Sequence, residues 1–207
     1  DMAVKGAYNP DAKDAGKRAL RGAALAYLTK LDKGAAARMQ FQGANNMTEQ
    51  LGALNCLLAN QMGDAQNVEF YDQWQSDPLV IDKWFMLASG QASPANAVQT
   101  AINLAAHKDF DWRNPNRFRA LIAGFASMNP AGFHDPSGAG YAFVADWLIR
   151  LDPINPQTTA RMTTAFDTWR RYDVTRQALM QSQLQRIAST PDLSTDTAEM
   201  VGRILAG

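Results

Sequence analysis

Apolar residues recur along this chain with the spacing of α-helices. From residue 11 to residue 205 they return every three or four positions, as on the buried side of a helix. No run alternates β-branched with polar residues between hairpin turns, which is the pattern of strands. The chain is therefore predicted to be all-α. The predicted helices cover residues 11–31, 35–42, 47–61, 66–75, 78–88, 94–106, 115–127, 139–151, 156–170, 174–189 and 195–205.

Proline marks many of the predicted helix starts. A capping residue precedes Pro in five pairs, and Pro suits the first helical position because its missing N–H would be unpaired there. The pairs are Asp77-Pro78, Ser93-Pro94, Asn114-Pro115, Asn129-Pro130 and Asn155-Pro156. Short links between short helices favour antiparallel neighbours, so we expect an irregular, α-solenoid-like superhelix of antiparallel helix pairs.

The apolar content is even along the chain and shows no linker, which predicts a single helical domain over residues 1–207. The helix over residues 139–151 is apolar on two sides. We therefore expect it at the centre of the stack.

The bulk composition limits the possible partners. Lys plus Arg and Asp plus Glu both number 20, which argues against nucleic acid or an anionic membrane as the main partner. No stretch is apolar enough to span a membrane, and no signal peptide is visible. The single cysteine, Cys56, lies in an apolar run, so we expect a buried thiol and a reducing, cytoplasmic compartment. The chain begins at Asp1 without Met, so we expect a piece of a longer protein.

The two histidines do not form a recognisable catalytic or metal motif. No His-Glu-x-x-His string is present, so the chain is not predicted to bind zinc. His134 is followed by Asp135 and Ser137, but adjacent residues point in different directions and do not form a triad. We expect His134 to hydrogen-bond its loop and His107 to lie at a helix end.

Two similar helix starts, at residues 114–119 and 155–161, carry the strongest candidates for binding. Each places cationic or amide side chains near the positive end of a helix, and both helix N-termini and Arg favour carboxylates. Gln157 and Arg161 are four residues apart and so lie on one side of their helix. These side chains either hold an anionic or carbonyl group in a cleft or are solvated or paired. The candidates are Arg117, Arg119, Gln157 and Arg161.

The same helix starts belong to an ordered set of short strings. These are Gly16–Arg21, Asn46–Thr48, Asp77–Val80, Asp82–Phe85, Asn114–Arg119, Phe133-His134, Gly138–Tyr141, Asn155–Gln157 with Arg161, and Trp169–Asp173. The set spans nearly the whole chain and resembles the C-terminal helical domain of bacterial aminopeptidase N, the zinc-dependent alanyl aminopeptidases of the gluzincin family.

The resemblance implies that this chain carries out no catalytic chemistry of its own. In that family an N-terminal β domain, a thermolysin-like zinc domain and a small β-sandwich are followed by a C-terminal superhelical domain that covers the catalytic site. This chain resembles only the fourth domain. The zinc ligands and the general base belong to the catalytic domain, so we expect no catalytic, cofactor-binding or metal-binding residue here. The parent would be a zinc metallopeptidase, a hydrolase that removes N-terminal residues in peptide catabolism.

The resemblance also implies three substrate-binding residues. Gln157 resembles the family's Gln that lines the first specificity pocket, Arg161 the Arg that reaches bound peptide, and Arg119 a second cavity Arg. The partners would then be the catalytic and other domains of the parent chain, together with peptide substrates.

Two alternatives stay open from the sequence. One is a free-standing helical-repeat scaffold that binds a protein or peptide in its concave face. The other is a self-contained hydrolase that uses His134. A His-Glu-x-x-His string encoded upstream of Asp1 would favour the peptidase, and a start codon there would favour the scaffold.

Overall fold

Helices follow one another from Ala12 to Ala206. The structure is a computed structural model that describes residues 4, 6 and 8–207, and its described residues contain no strand. The all-α prediction is thus confirmed; Asp1, the expected truncation point, lies outside the described residues. The α-helices are α1 Ala12–Leu31, α2 Ala35–Gly43, α3 Met47–Ala59, α4 Asp64–Trp74, α5 Pro78–Gly90, α6 Ala97–Ala105, α7 Pro115–Phe118, α8 Gly124–Met128, α9 Pro130–Phe133, α10 Ala139–Leu151, α11 Pro156–Met162, α12 Val174–Ala188 and α13 Thr195–Ala206.

Most of the Pro-marked starts begin helices as predicted. The side-chain oxygens of Asn129 and Asn155 each accept a hydrogen bond of 3.0 Å from a first-turn N–H. Asn114 does the same before α7, and Asp77 before α5. The prediction is wrong at Ser93-Pro94, because α6 begins only at Ala97. There the Asn96 N–H donates to the Ser93 carbonyl at 2.9 Å and closes a turn, a setting in which Pro is equally favoured.

The predicted helix over residues 156–170 is interrupted. It ends at Met162 and continues as two short 3-10 segments, Thr163–Phe166 and Trp169–Arg171. The hydroxyls of Thr163 and Thr164 donate to main-chain carbonyls three residues earlier, at 2.6 and 2.7 Å. Such bonds compete with the α-helical pattern, which explains the early end.

The helices form two compact units whose division falls within α5. The first unit ends at Trp84, and the second runs from Phe85 to Gly207. In the first unit α3 packs against α1, α2 and α4, and its buried Cys56 confirms the expected buried thiol. Burial raises the pKa of this thiol. The single domain and the superhelical arrangement remain predictions.

Helix α10 is central to the second unit, where it packs against α6, α9, α11 and α12. Its Tyr141, Val144 and Leu148 are fully buried, as its two apolar sides led us to expect. A side chain at Gly140 would come within 2.6 Å of the Phe133 carbonyl oxygen. This glycine therefore serves the close packing of α10 on α9.

A buried carboxylate fixes the start of α13. Asp152, which is 2% exposed, accepts hydrogen bonds from the Ser194 N–H at 2.8 Å and the Ser194 hydroxyl at 2.7 Å. The Thr197 hydroxyl donates to it at 2.5 Å. The negative charge also faces the positive end of the helix dipole. Asp152 thereby links the end of α10 to the last helix.

Asp152→Ala is expected to lower the free energy of unfolding by about 3 kcal/mol, because it leaves several buried donors without an acceptor. Asp167→Ala, an exposed carboxylate of the same unit, should cost less than about 0.5 kcal/mol. Chemical denaturation of the 207-residue chain measures both. Equal effects would contradict the assigned role of Asp152.

Candidate functional site

A cavity of about 750 Å³ opens in the second unit between the α7–α8 segment and the α11 segment. Its walls combine small apolar side chains with polar and cationic ones. The lining residues are Arg119, Ala123, Ala126, Ser127, Gln157, Thr158, Arg161, Met162, Thr164 and Ala165. Three of the four sequence candidates, Arg119, Gln157 and Arg161, thus meet around one cavity.

One wall is set by the start of α11. Asn155 caps the helix by accepting from the Thr158 N–H at 3.0 Å, and Pro156 occupies the first position. Gln157 and Arg161 then stand one turn apart on the exposed side, while Thr159 and Met162 face the interior. Within the described residues no hydrogen bond or ion pair holds the Arg161 guanidinium. This side chain is available to a ligand.

The opposite wall depends on a wide turn that the sequence analysis missed. The predicted helix over residues 115–127 opens into a π-helical turn at Arg119–Ala123, where the Gly124 N–H donates to the Arg119 carbonyl. Such turns occur mostly as single insertions and often at functional sites. The Arg119 guanidinium donates to Asn116 Oδ1 at 2.7 Å, which restrains it beside the cavity.

Arg117 points the other way. It is 6% exposed, donates a short hydrogen bond to the Asp109 carbonyl and lies 5.1 Å from the centre of the Phe85 ring. The ring of His107 contacts the same Phe85 edge-on. Of the two arginines at this helix start, only Arg119 therefore lines the cavity.

The cavity is cationic. Arg119 and Arg161 line it, and no carboxylate does so among the described residues. Ser127, Thr158 and Thr164 add neutral hydroxyls that the sequence analysis did not single out. The helical spacing from Arg161 could have identified Thr158 and Thr164, whereas nothing in the sequence marks Ser127. The arrangement suits a ligand with a carboxylate or carbonyl group.

His134 lies outside the cavity in a polar cluster of its own. Its Nδ1 is 2.9 Å from the Tyr141 hydroxyl and its Nε2 is 2.8 Å from the Tyr172 hydroxyl. Arg176 Nε donates to the His134 carbonyl at 2.8 Å. Burial and, next, the Arg176 charge lower the pKa of His134, and burial raises the pKa of Tyr141 to about 12. These contacts join the ends of α9, α10 and α12.

The described residues contain no group of three His, Cys, Asp or Glu side chains that could hold a metal ion. His107 and Asp109 approach each other to 4.0 Å but form only a pair. The described residues therefore do not fit a zinc ion. In the same part of the chain, no helix is both long enough and apolar enough to span a membrane.

Comparisons with known proteins identify the fold and the family. Residues 1–206 match the family described as "Domain of unknown function (DUF3458_C) ARM repeats". Aminopeptidase N of Caulobacter vibrioides is 41% identical over 212 residues, which cover 99% of this chain and 24% of that protein. Aminopeptidase N of Escherichia coli is 38% identical over 205 residues, 96% of this chain and 23% of that protein.

A solved structure is also similar to this chain. Legionella pneumophila aminopeptidase A, crystallised in complex with aspartic acid, matches with a TM-score of 0.87 and 34% identity over 99% of this chain and 25% of its own. The protein is thus an all-helical repeat domain. It belongs to the DUF3458_C ARM-repeat family, and its resemblance to the C-terminal helical domain of bacterial aminopeptidase N is confirmed. The chain spans about a quarter of the length of these relatives.

The depressed pKa of His134 predicts a loss of stability in mild acid. As the pH falls, His134 is protonated in the unfolded chain before it is protonated in the folded chain. The contribution of neutral His134 to the free energy of unfolding is therefore complete above about pH 6.5, and it declines as the pH falls through that value toward the lower folded pKa. We expect His134→Gln to have a shallower fall in melting temperature between pH 7.5 and 5 than the unchanged chain. Calorimetry at several pH values measures this fall.

His107→Gln serves for comparison, because burial also lowers the pKa of His107 and this variant should flatten the pH profile only by the share of His107. The His107→Gln variant should keep the part of the pH dependence of the melting temperature that comes from His134. Parallel pH profiles for the unchanged chain and His134→Gln would contradict the prediction.

Proposed function

We propose that this chain is the non-catalytic C-terminal domain of a zinc metallo-aminopeptidase that removes N-terminal residues from peptides. In this role it covers the active site of the parent enzyme, limits access to it and lines the substrate cavity. The observation that carries the proposal is the convergence of Arg119, Gln157 and Arg161 on one cavity, from two separate helical segments.

The chemistry of these side chains suits positioning of the substrate. Arg stays protonated and only donates hydrogen bonds, so Arg119 and Arg161 would hold a peptide carbonyl or a carboxylate. The Gln157 amide both donates and accepts and would contact the first residue of the peptide. Holding a peptide in one orientation lowers the entropic part of the barrier without any bond being made or broken by this domain.

The partners follow from this assignment. The zinc ion and its ligands would lie in the catalytic domain of the parent chain, and the cavity residues of this chain would face that domain. Peptide substrates would contact both. A cytoplasmic location is supported by the single cysteine, Cys56, because one thiol cannot form a disulfide within the chain.

Arg161→Ala in the full-length enzyme is expected to raise KM for peptides about tenfold, equivalent to about 1.4 kcal/mol of lost binding. Zinc content should stay unchanged, because the substitution removes only a ligand contact. Steady-state kinetics on peptides of several lengths and metal analysis measure the two effects.

Arg171→Ala is the matched control, since Arg171 is an exposed cation of the same unit that does not line the cavity. It should leave KM unchanged. Unaltered kinetics of Arg161→Ala on every peptide length would count against the proposal.

A further inference from the structure

Three of the short strings noted in the sequence meet outside the cavity, and none of their residues lines it. The strings are Phe133-His134, Gly138–Tyr141 and Trp169–Asp173. The hydroxyls of Tyr141 and Tyr172 lie 2.9 and 2.8 Å from the two ring nitrogens of His134. The substrate contacts proposed above do not use these strings, so their meeting point calls for another role.

Phe133 contacts the chain of both cavity walls. Its ring centre lies 6.5 Å from that of Phe125, which belongs to α8 in one wall. On the other side it lies 5.5 Å from that of Phe166, which follows the lining residue Ala165 of the second wall. Both contacts are edge-on, and each of the three rings is at most 1% exposed. Close packing of these rings limits how far the two walls can move apart or together.

His134 and Tyr172 form a second tie directly after the first. His134 follows Phe133, and Tyr172 comes shortly after Phe166. The two rings stack with their centres 4.1 Å apart, and the Tyr172 hydroxyl is hydrogen-bonded to His134 Nε2. Ring packing alone permits sliding, whereas a hydrogen bond requires one direction. We call Phe133, His134, Phe166 and Tyr172 the wall brace.

Further hydrogen bonds hold the wall brace in place. A neutral imidazole has one donor and one acceptor nitrogen, so one of the hydroxyls of Tyr141 and Tyr172 accepts and the other donates. Arg176 Nε donates to the His134 carbonyl at 2.8 Å, and Gln177 Nε2 donates to the Tyr172 carbonyl at 2.8 Å. Both nitrogens of the His134 ring are thus satisfied. A satisfied network of this kind selects a single arrangement of the chain around it.

We propose that the wall brace sets the spacing between the two walls of the cavity, and that Tyr172 is thereby a positioning residue for the substrate. The second part rests on the proposed function, in which Arg119 stands on one wall and Gln157 and Arg161 on the other. A peptide that bridges the walls contacts both sets at once. A small change in the spacing therefore weakens these contacts without removing any of the side chains that make them.

Spin-label distances in the full-length enzyme test the wall brace itself. Labels at Ser127→Cys and Thr158→Cys stand on opposite walls, and double electron–electron resonance should find one narrow distance between them. Tyr172→Phe keeps the ring stack but removes the hydrogen bond, so it should broaden that distribution. Arg171→Ala is the matched control, because Arg171 is the exposed neighbour of Tyr172, and it should leave the distribution unchanged. Equal distributions for the two variants would overturn the proposal.

Steady-state kinetics of the full-length enzyme test the positioning role. Tyr172→Phe should raise KM for peptides about threefold with kcat unchanged, and Tyr172→Ala, which also removes the stacked ring, about tenfold. Arg171→Ala should change neither constant. In an Arg161→Ala background Tyr172→Phe should raise KM by a smaller factor, because both substitutions weaken the same contact. An equal factor in both backgrounds, or a fall in kcat with KM unchanged, would overturn the proposal.

The two proposals can fail separately. A raised KM for Arg161→Ala beside an unchanged KM for Tyr172→Phe would overturn the positioning role and leave the proposed function standing. If Arg161→Ala has no effect on KM while Tyr172→Phe broadens the label distances, the proposed function fails and the wall brace still sets the spacing of the walls.

Discussion

The candidate site depends on one hydrogen bond, from the Thr158 N–H to the side chain of Asn155. It fixes the residue at which α11 begins, and the next two turns then place Gln157 and Arg161 on the same side. A start one residue later would rotate both side chains by about 100°. The hydrogen bond joins residues three positions apart and fixes where the helix begins. A short stretch of sequence therefore determines one wall of the cavity.

The opposite wall has a different origin. Arg117 and Arg119 belong to one helix start, yet one guanidinium is buried against Phe85 and the other lines the cavity. The wide turn at Arg119–Ala123 lies between the cap and α8. Cavity formation therefore needs both a local cap and a local departure from α-helical geometry. Neither wall carries a carboxylate or an imidazole among the residues that line it.

The two units present different kinds of surface. The second has a fully packed centre around α10 and an open cationic cavity, whereas the first exposes Leu20, Tyr27 and Leu31 of α1 opposite its own core. The chain spans about a quarter of the length of its aminopeptidase N relatives.

The sequence by itself determined the all-α class, most helix starts and the placement of Gln157 and Arg161 on one side of their helix, because periodicity and capping act within one or two turns. It also showed the family resemblance, because that resemblance depends on short sequence strings that occur in a consistent order and not on contacts in the folded protein. Tertiary structure decided the rest. Ser93-Pro94 forms a turn, Thr163 and Thr164 end α11 early, and His134 contacts the nearby Tyr141 and the distant Tyr172. At Ser93-Pro94 and at Thr163-Thr164 two local hydrogen-bond patterns were compatible with the same residues, and only the folded structure shows which one forms. The contact between His134 and Tyr172 needs the tertiary fold, because it joins two residues that are far apart in the sequence.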